Sequence, residues 1–259
     1  MKKTGSSLKA FWEHKARRYP LPFETLTAAR TARMVRRLEA MGVAFRGRSL
    51  VDIGCGTGIY GLFLADRLSR TLGVDFSGEM LARFRAQARA RKIKNAACLR
   101  IDWRSAKRLP GAPFDIALAA MSMAVRNPSD IARMEDAALE NCVYIGWAGK
   151  RKNRFMERIF SAHGLEYETP DNGREMVKTL KKLRRRVKTV FIQERWPRTG
   201  TYRETLREVM AHLKLNNVPV RRQWLEKFIK ARGRNGRIKH TTLARKVVIV
   251  WRPPKKRGG

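Results

Sequence analysis

The stretch that most constrains this chain is Ser49-Leu50-Val51-Asp52-Ile53 followed at once by Gly54-Cys55-Gly56-Thr57-Gly58. Residues of strand composition run straight into alternate glycines, and Ile59, Leu62, Phe63 and Leu64 then follow at the spacing of a buried helix. A strand that breaks into glycines and resumes as a helix leaves no Cβ over the turn. Ligand can approach the backbone there, and the first amides of the helix point at it. Such turns belong to parallel sheets whose strands are joined through helices.

The rest of the chain bears out that architecture as an expectation. Strand patterns at 71–75, 96–101, 114–121 and 142–147 alternate with helical patterns at 78–92, 130–139 and 154–162. Ahead of them, Phe11-Trp12 opens a short helix that Pro20 and Pro22 must end, since proline has no amide donor. A second helix over 25–41 should bury Leu26, Met34, Val35, Leu38 and Met41, with Gly42 as its C-terminal stop. After 163, two β-branched runs at 187–196 and 244–251, bounded by Pro197 and Pro253, read as an antiparallel pair. Between them lie two amphipathic helices. One carries Tyr202, Leu206, Val209, Met210 and Leu213, the other Trp224, Leu225, Phe228 and Ile229. The expected fold is α/β: a Rossmann-like, doubly wound, mostly parallel sheet with an antiparallel C-terminal strand pair, an N-terminal helical cover and a helical insertion. The segments are 1–45 (cover), 46–163 (core) and 164–259 (a basic elaboration completing the sheet), and the tail from Arg252 reads as disordered.

Composition narrows the partners. The 259 residues carry a net charge of +36, and residues 150–259 hold 32 of the 58 basic side chains and 9 of the 22 acidic ones. A field of that sign draws anions, so nucleic acid stands beside anionic lipid surfaces and acidic small molecules as a partner. Arginine-rich solvated helix faces are the plainer account of it. Cys55, Cys98 and Cys142 make no Cys-x-x-Cys pair and His14, His163, His212 and His240 no ligand spacing, so no metal is expected. The longest apolar stretch, 116–125, is about half a membrane span, and the first residues lead into no apolar signal region, which points to a cytoplasmic protein. Oligomeric state has no signature in the sequence.

The chemistry gathers at strand ends. Gly56-Thr57-Gly58-Ile59-Tyr60-Gly61 also satisfies a dinucleotide fingerprint, and Asp75, about 20 residues past the turn, can accept both hydroxyls of a ribose under either reading. Asp52 separates them. A pyrophosphate beside that acid would meet like charge, whereas the ammonium and sulfonium of S-adenosylmethionine would be attracted to it. A third acid, Asp102, is followed by Trp103, a combination suited to an adenine: a carboxylate for the amine and an aromatic wall for the ring.

Val51-Asp52-Ile53-Gly54-Cys55-Gly56-Thr57-Gly58, Gly73-Val74-Asp75-Phe76-Ser77, Asp102-Trp103 and Phe114-Asp115-Ile116-Ala117, in this order, resemble the successive cofactor motifs of class I S-adenosylmethionine-dependent methyltransferases. The resemblance implies that Asp52 and the turn of Gly54, Gly56 and Gly58 hold the methionine end, Asp75 the ribose, and Asp102 with Trp103 the adenine, with Cys55 and Phe76 also among the cofactor-binding residues. Phe11-Trp12-Glu13 with Ala16 and Tyr19 is similar to the N-terminal element that covers the cofactor in small-molecule members. Asp115, beside Pro113, reads as structural.

The acceptor side is Ala119-Ala120-Met121-Ser122, with Met121, Ser122, Tyr19 and Tyr60 as pocket wall. It resembles neither the Asn/Asp-Pro-Pro-aromatic turn of amine-methylating enzymes nor the Pro-Cys of base-carbon methylation, which favours a small-molecule acceptor. Methyl transfer depends on in-line positioning, so a general base is optional and no catalytic residue is assigned. The alternatives are an RNA methyltransferase acting at a ring nitrogen or ribose, a silent basic RNA-binding protein that retains the fold, and a nicotinamide-dependent reductase.

Overall fold

The computed structural model describes residues 5–106, 108–149, 151–167 and 171–254. In chain order the elements are α1 (Gly5–Ala16), α2 (Thr25–Ala40), β1 (Ser49–Ile53), β2 (Arg70–Asp75), α3 (Gly78–Ala90), β3 (Ala96–Arg100), β4 (Phe114–Ala120), α4 (Pro128–Asp136), β5 (Ala138–Trp147), α5 (Arg154–Ala162), α6 (Asn172–Lys182), β6 (Val187–Thr201), α7 (Tyr202–Leu215), α8 (Arg222–Lys230), β7 (Gly233–Arg234) and β8 (Arg237–Trp251). A 3-10 turn over Trp103–Ser105 follows β3.

All eight strands belong to one sheet, ordered β3-β2-β1-β4-β5-β8-β6, with β7 hairpinned onto β8. The first five strands of that order are parallel. Every residue of β1 is buried, as a central strand covered on both faces must be, and its composition is continuously apolar except for Ser49 and Asp52. The chain leaves β1 towards β2 on one side and later returns as β4 on the other, so strand order reverses at β1. Crevices that bind ligands form at such reversals, beyond the carboxyl ends of the strands. Pairing of Ile53 with Val74 and of Asp75 with Arg100 brings the ends of β1, β2 and β3 level at that edge.

Contacts divide the chain into two compact units. One gathers described residues within 12–146, 172–190 and 247–254, and the other those within 5–11, 147–171 and 191–246. The second unit has its own core, in which Phe155, Met156, Ile159 and Phe160 of α5 pack with Val209 and Leu213 of α7, Leu225, Phe228 and Ile229 of α8, and Ile238. Asn153 caps α5 through Met156 N and also donates to Thr242 Oγ1 at 2.7 Å, tying the helix start to β8.

Several expectations change. Leu26 is 59% exposed: it sits in the first turn of α2, where the helix has yet to reach the core that buries Met34, Val35 and Leu38. Residues 58–67 form successive turns rather than one regular helix, although Leu62 N to Gly58 O and Leu64 N to Tyr60 O keep helical spacing and Leu62 and Leu64 are buried. α4 stops at Asp136 and β5 starts at Ala138, so Leu139 lies in a strand and is 59% exposed. β6 runs through Pro197 to Thr201. It is the last strand in the sheet order, where a missing amide costs no ladder bond. β8 begins seven residues earlier than expected, at Arg237, and α1 starts at Gly5, ahead of Phe11. α6 was not anticipated. Of the tail, 252–254 is described without regular structure and 255–259 lies outside the described residues, as do Met1 to Thr4.

Candidate active site

The glycine turn is bound to the end of β2. Gly54 N and Cys55 N both donate to Val74 O, at 2.7 and 3.1 Å, and Gly56 N donates to Asp75 Oδ2 at 2.9 Å. Gly54, Gly56 and Gly58 have φ of +70°, +54° and +87°, in the left-handed region that penalises a side chain. Space forbids one as well at two of them. A Cβ on Gly54 would collide with Ser122 Oγ, and one on Gly58 would come within 2.6 Å of the Phe84 ring. On Gly56 it would meet Tyr19 at 3.7 Å, an ordinary contact, so there the backbone conformation alone selects glycine.

Asp52 is 2% exposed, and among the described residues Oδ2 accepts from Gly61 N alone, at 3.1 Å. Among the described residues no lysine or arginine pairs with it. Burial is the main reason its carboxyl is pushed up to about 7, the Gly61 hydrogen bond opposing and the Asp75 charge adding to the rise. Asp75 also accepts from Ser77 N through Oδ1 at 2.9 Å. Burial raises its pKa, backbone hydrogen bonds from Ser77, Gly56 and Phe76 oppose, and Glu13 adds to the rise. Two acids thus stand close together without a cation, an arrangement that favours a positively charged ligand.

Phe76 is partly buried, and its carbonyl accepts from Arg100 Nε at 3.3 Å. Asp102 is half exposed and caps the 3-10 turn, accepting from Arg104 N at 3.1 Å. Trp103 beside it is 3% exposed with its indole Nε1 enclosed and unbonded among the described residues. A buried donor without a partner is a group that a ligand can satisfy. Cys55 turns its side chain inward, against Gly73 and Phe84, in a cluster with Leu62 and Leu81. Burial pushes its thiol well up, which suits packing rather than nucleophilic work.

The N-terminal segment packs against the glycine turn. Thr57 Oγ1 donates to Pro20 O at 2.7 Å, and Tyr19 packs beside Gly56. Burial, then the charges of Asp75 and Asp52, push the Tyr19 hydroxyl up to about 12. Glu13 accepts from Ser77 Oγ (3.2 Å), Gly78 N (3.1 Å) and Glu79 N (3.1 Å), so a carboxylate of α1 supplements the Ser77 cap of α3. The sequence carries no spacing signal for that role, because the partners are 64 to 66 residues away.

On the far side of β1, β4 ends at Ala120 and is followed by Met121, a non-glycine residue at φ +55°, and Ser122, whose Oγ accepts from Ala124 N at 3.1 Å. Strained backbone at a strand end beside a cleft is a mark of functional sites. Tyr60 is partly exposed on the turn after Gly58. Asp115 lies at the opposite end of β4, where Ser49 N and Oγ donate to it at 2.7 Å. Although burial raises its carboxyl, those bonds and Arg48 bring it below the usual range, so its role is structural. Among the described residues no group of three His, Cys, Asp or Glu side chains could hold a metal ion, and no helix is long and apolar enough to cross a membrane.

Residues 50–141 match the family model of a methyltransferase domain. Among solved structures, the YcgJ protein of Bacillus subtilis superposes with a TM-score of 0.53 at 13% identity, over 86% of this chain and 99% of that one. The complex of DhpI with S-adenosylhomocysteine gives 0.51 at 14%, over 97% of each chain. Magnesium protoporphyrin IX methyltransferase from Synechocystis, with S-adenosylhomocysteine bound, gives 0.52 at 13%, over 94% of each. At these identities the likeness is one of fold, and the doubly wound sheet is the Rossmann-like fold of those proteins. No curated protein sequence matches the chain.

Proposed function

We propose that this chain, which carries a methyltransferase domain at residues 50–141, takes its methyl group from S-adenosylmethionine and delivers it to a small molecule. The observation that carries the reading is the pair of uncompensated acids, Asp52 and Asp75, at the end of a turn that presents backbone only. A cationic, phosphate-free nucleoside relieves their charge, whereas a dinucleotide would add to it.

The residues present fit that donor. Asp52 and the Gly54–Gly58 turn would face its methionine end, Asp75 with Phe76 its ribose hydroxyls, and Trp103 with Asp102 its adenine. When bound, it supplies a methyl carbon activated by an adjacent sulfonium. The protein's part is to hold, orient and exclude water. Residues 1–45 act as the cover, with Glu13 anchoring α1 to α3 and Tyr19 lying over Gly56. With its hydroxyl pushed up to about 12, Tyr19 is a neutral wall rather than a base at physiological pH. The core over 46–163 and the basic elaboration over 164–259 complete the proposed organisation, and we place the enzyme in the cytoplasm.

The small-molecule acceptor is supported by the relative named for its porphyrin substrate, magnesium protoporphyrin IX methyltransferase. One observation favours RNA as a second reading. Between Lys230 and Lys239, α8 leads into the β7–β8 hairpin, whose Asn235-Gly236 turn has φ of +50° and +68°. Lys230, Arg232, Arg234, Arg237 and Lys239 are all exposed there, and the segment holds no acid. Incubation with methyl-labelled S-adenosylmethionine and either a small-molecule extract or total RNA separates the two. Label in the small-molecule fraction is expected. Label in RNA, with binding that falls steeply with salt, would replace that reading by the second.

A further inference from the structure

Arg126 lies on the loop between β4 and α4, four residues past Ser122. Its amide donates to Asp130 Oδ2 at 3.1 Å and its Nε to Met123 O at 2.6 Å, so the guanidinium is fixed at one corner. Among the described residues its two terminal nitrogens have no hydrogen-bond partner. The charged and titratable groups that act on it come from three directions: Arg104 and Asp102 at the end of β3, Asp130 at the start of α4, and Tyr144 on β5. Burial, then the like charge of Arg104, lowers its pKa.

The acids in this group are already engaged. Asp102 caps the 3-10 turn and lies 3.9 Å from Arg104 Nε, and Asp130 takes the Arg126 amide and stands 3.7 Å from Arg133 Nη1. Three guanidinium groups therefore share two carboxylates. Arg104 and Arg126 are both exposed, and the like charge of the first acts on the second, a repulsion that a bound anion relieves.

Position gives this charge a purpose. Ser122 touches the glycine turn, since a Cβ on Gly54 would collide with it, so the loop bearing Arg126 borders the cleft on its β4 side. Arg104 directly follows Trp103, the proposed adenine wall. Arg126 thus lies on the loop that Ser122 opens, and Arg104 on the turn that follows β3. We propose that Arg126 and Arg104 recognise an anionic oxygen group, carboxylate or phosphate, on that acceptor. The inference rests on the methyltransferase reading above and gives its substrate a chemical class. Paired N–H donors of a guanidinium match two oxygens of such a group.

The test is calorimetric titration of benzoate and, separately, phenyl phosphate into protein saturated with S-adenosylhomocysteine. The proteins compared are the unaltered chain, Arg126→Gln, Arg126→Lys, Arg104→Gln and, as a control, Arg33→Gln on the exposed face of α2. One saturable site is expected for one of the anions, and which one binds identifies the group. Arg126→Gln should weaken it about tenfold, the loss of a charge-assisted pair, with Arg126→Lys between the two and Arg33→Gln unchanged. Affinity for S-adenosylhomocysteine should be the same in all five. If neither anion binds, or Arg126→Gln binds as well as the unaltered chain, the proposal is overturned. If S-adenosylhomocysteine fails to bind the unaltered chain, the donor reading fails instead, and the same titrations without it still decide the role of Arg126.

Discussion

Gly56 N donates to Asp75 Oδ2 at 2.9 Å, joining the turn after β1 to the acid that ends β2. The same carboxylate reaches Ser77 N through its other oxygen, so one side chain orders the glycine turn and the start of α3 together. Its proposed function, accepting from a ribose, uses a group that the protein has already oriented.

Asp75→Ala should therefore weaken S-adenosylhomocysteine binding by about tenfold or more, the worth of lost hydrogen bonds to a charged group. The fold should persist with a modestly lower Tm, because two amides lose acceptors. Calorimetric titration alongside a melting curve checks both. An unchanged affinity would remove Asp75 from the site.

Asp52 gives a pH dependence with a definite sign. Its carboxyl stands at about 7 in the folded chain against an ordinary 3.8, so between those values the native state holds a proton that the unfolded chain has released. Stability contributed by this group falls as pH rises from about 4 to 7 and then levels off, by at most on the order of 4 kcal/mol. Asp52→Asn should raise Tm relative to the unaltered chain at pH 8 and leave it little changed near pH 4. Affinity for the cationic donor should move oppositely in the unaltered chain, strengthening as pH rises through 7, and Asp52→Asn should abolish that trend. Melting curves over pH 4 to 8.5 and titrations over pH 5 to 8.5 read both.

Gly54 combines a φ of +70° with a wall at Ser122. Gly54→Ala should cost about 1–3 kcal/mol and lose donor binding. Adding Ser122→Gly removes the collision but not the backbone strain, so it should recover part of the stability. Full recovery would mean that the collision alone matters, and none that it does not.

Glu135 tests the scaffold. It is 7% exposed and accepts from Arg185 Nε (2.7 Å) and Nη2 (2.9 Å) and from Trp251 Nε1 (2.9 Å), tying α4 to the segment after α6 and to the last residue of β8. Glu135→Ala should destabilise by about 3 kcal/mol, since it strands three N–H donors on two side chains, while affinity for the methyl donor in the folded fraction is unchanged. Denaturant unfolding measures the first.

These particular residues show what the sequence could reveal. The turn of Gly54, Gly56 and Gly58 was legible because left-handed backbone and close packing restrict the residue type, and Asp75 because strand length fixes how far it lies from the turn. Leu139 was misplaced because apolar periodicity does not distinguish the end of α4 from the start of β5 when the two elements are one residue apart. α6 escaped notice because only Met176 and Leu180 of its side chains, with Gly173, are buried along an otherwise polar run. Glu13 and Arg126 depend on tertiary placement: one caps a helix across more than 60 residues, and the other draws its meaning from Arg104 and Asp102 on another loop. Pattern within a segment carries neither.

Thermal unfolding with S-adenosylhomocysteine and, separately, with NADH tests the central claim most directly. At about 100 times its dissociation constant, S-adenosylhomocysteine should stabilise the native state by roughly 2.7 kcal/mol, visible as a rise in Tm, and NADH should leave Tm where it was. A rise with NADH and none with S-adenosylhomocysteine would contradict the account, because Asp52 and Asp75 would then be facing a diphosphate.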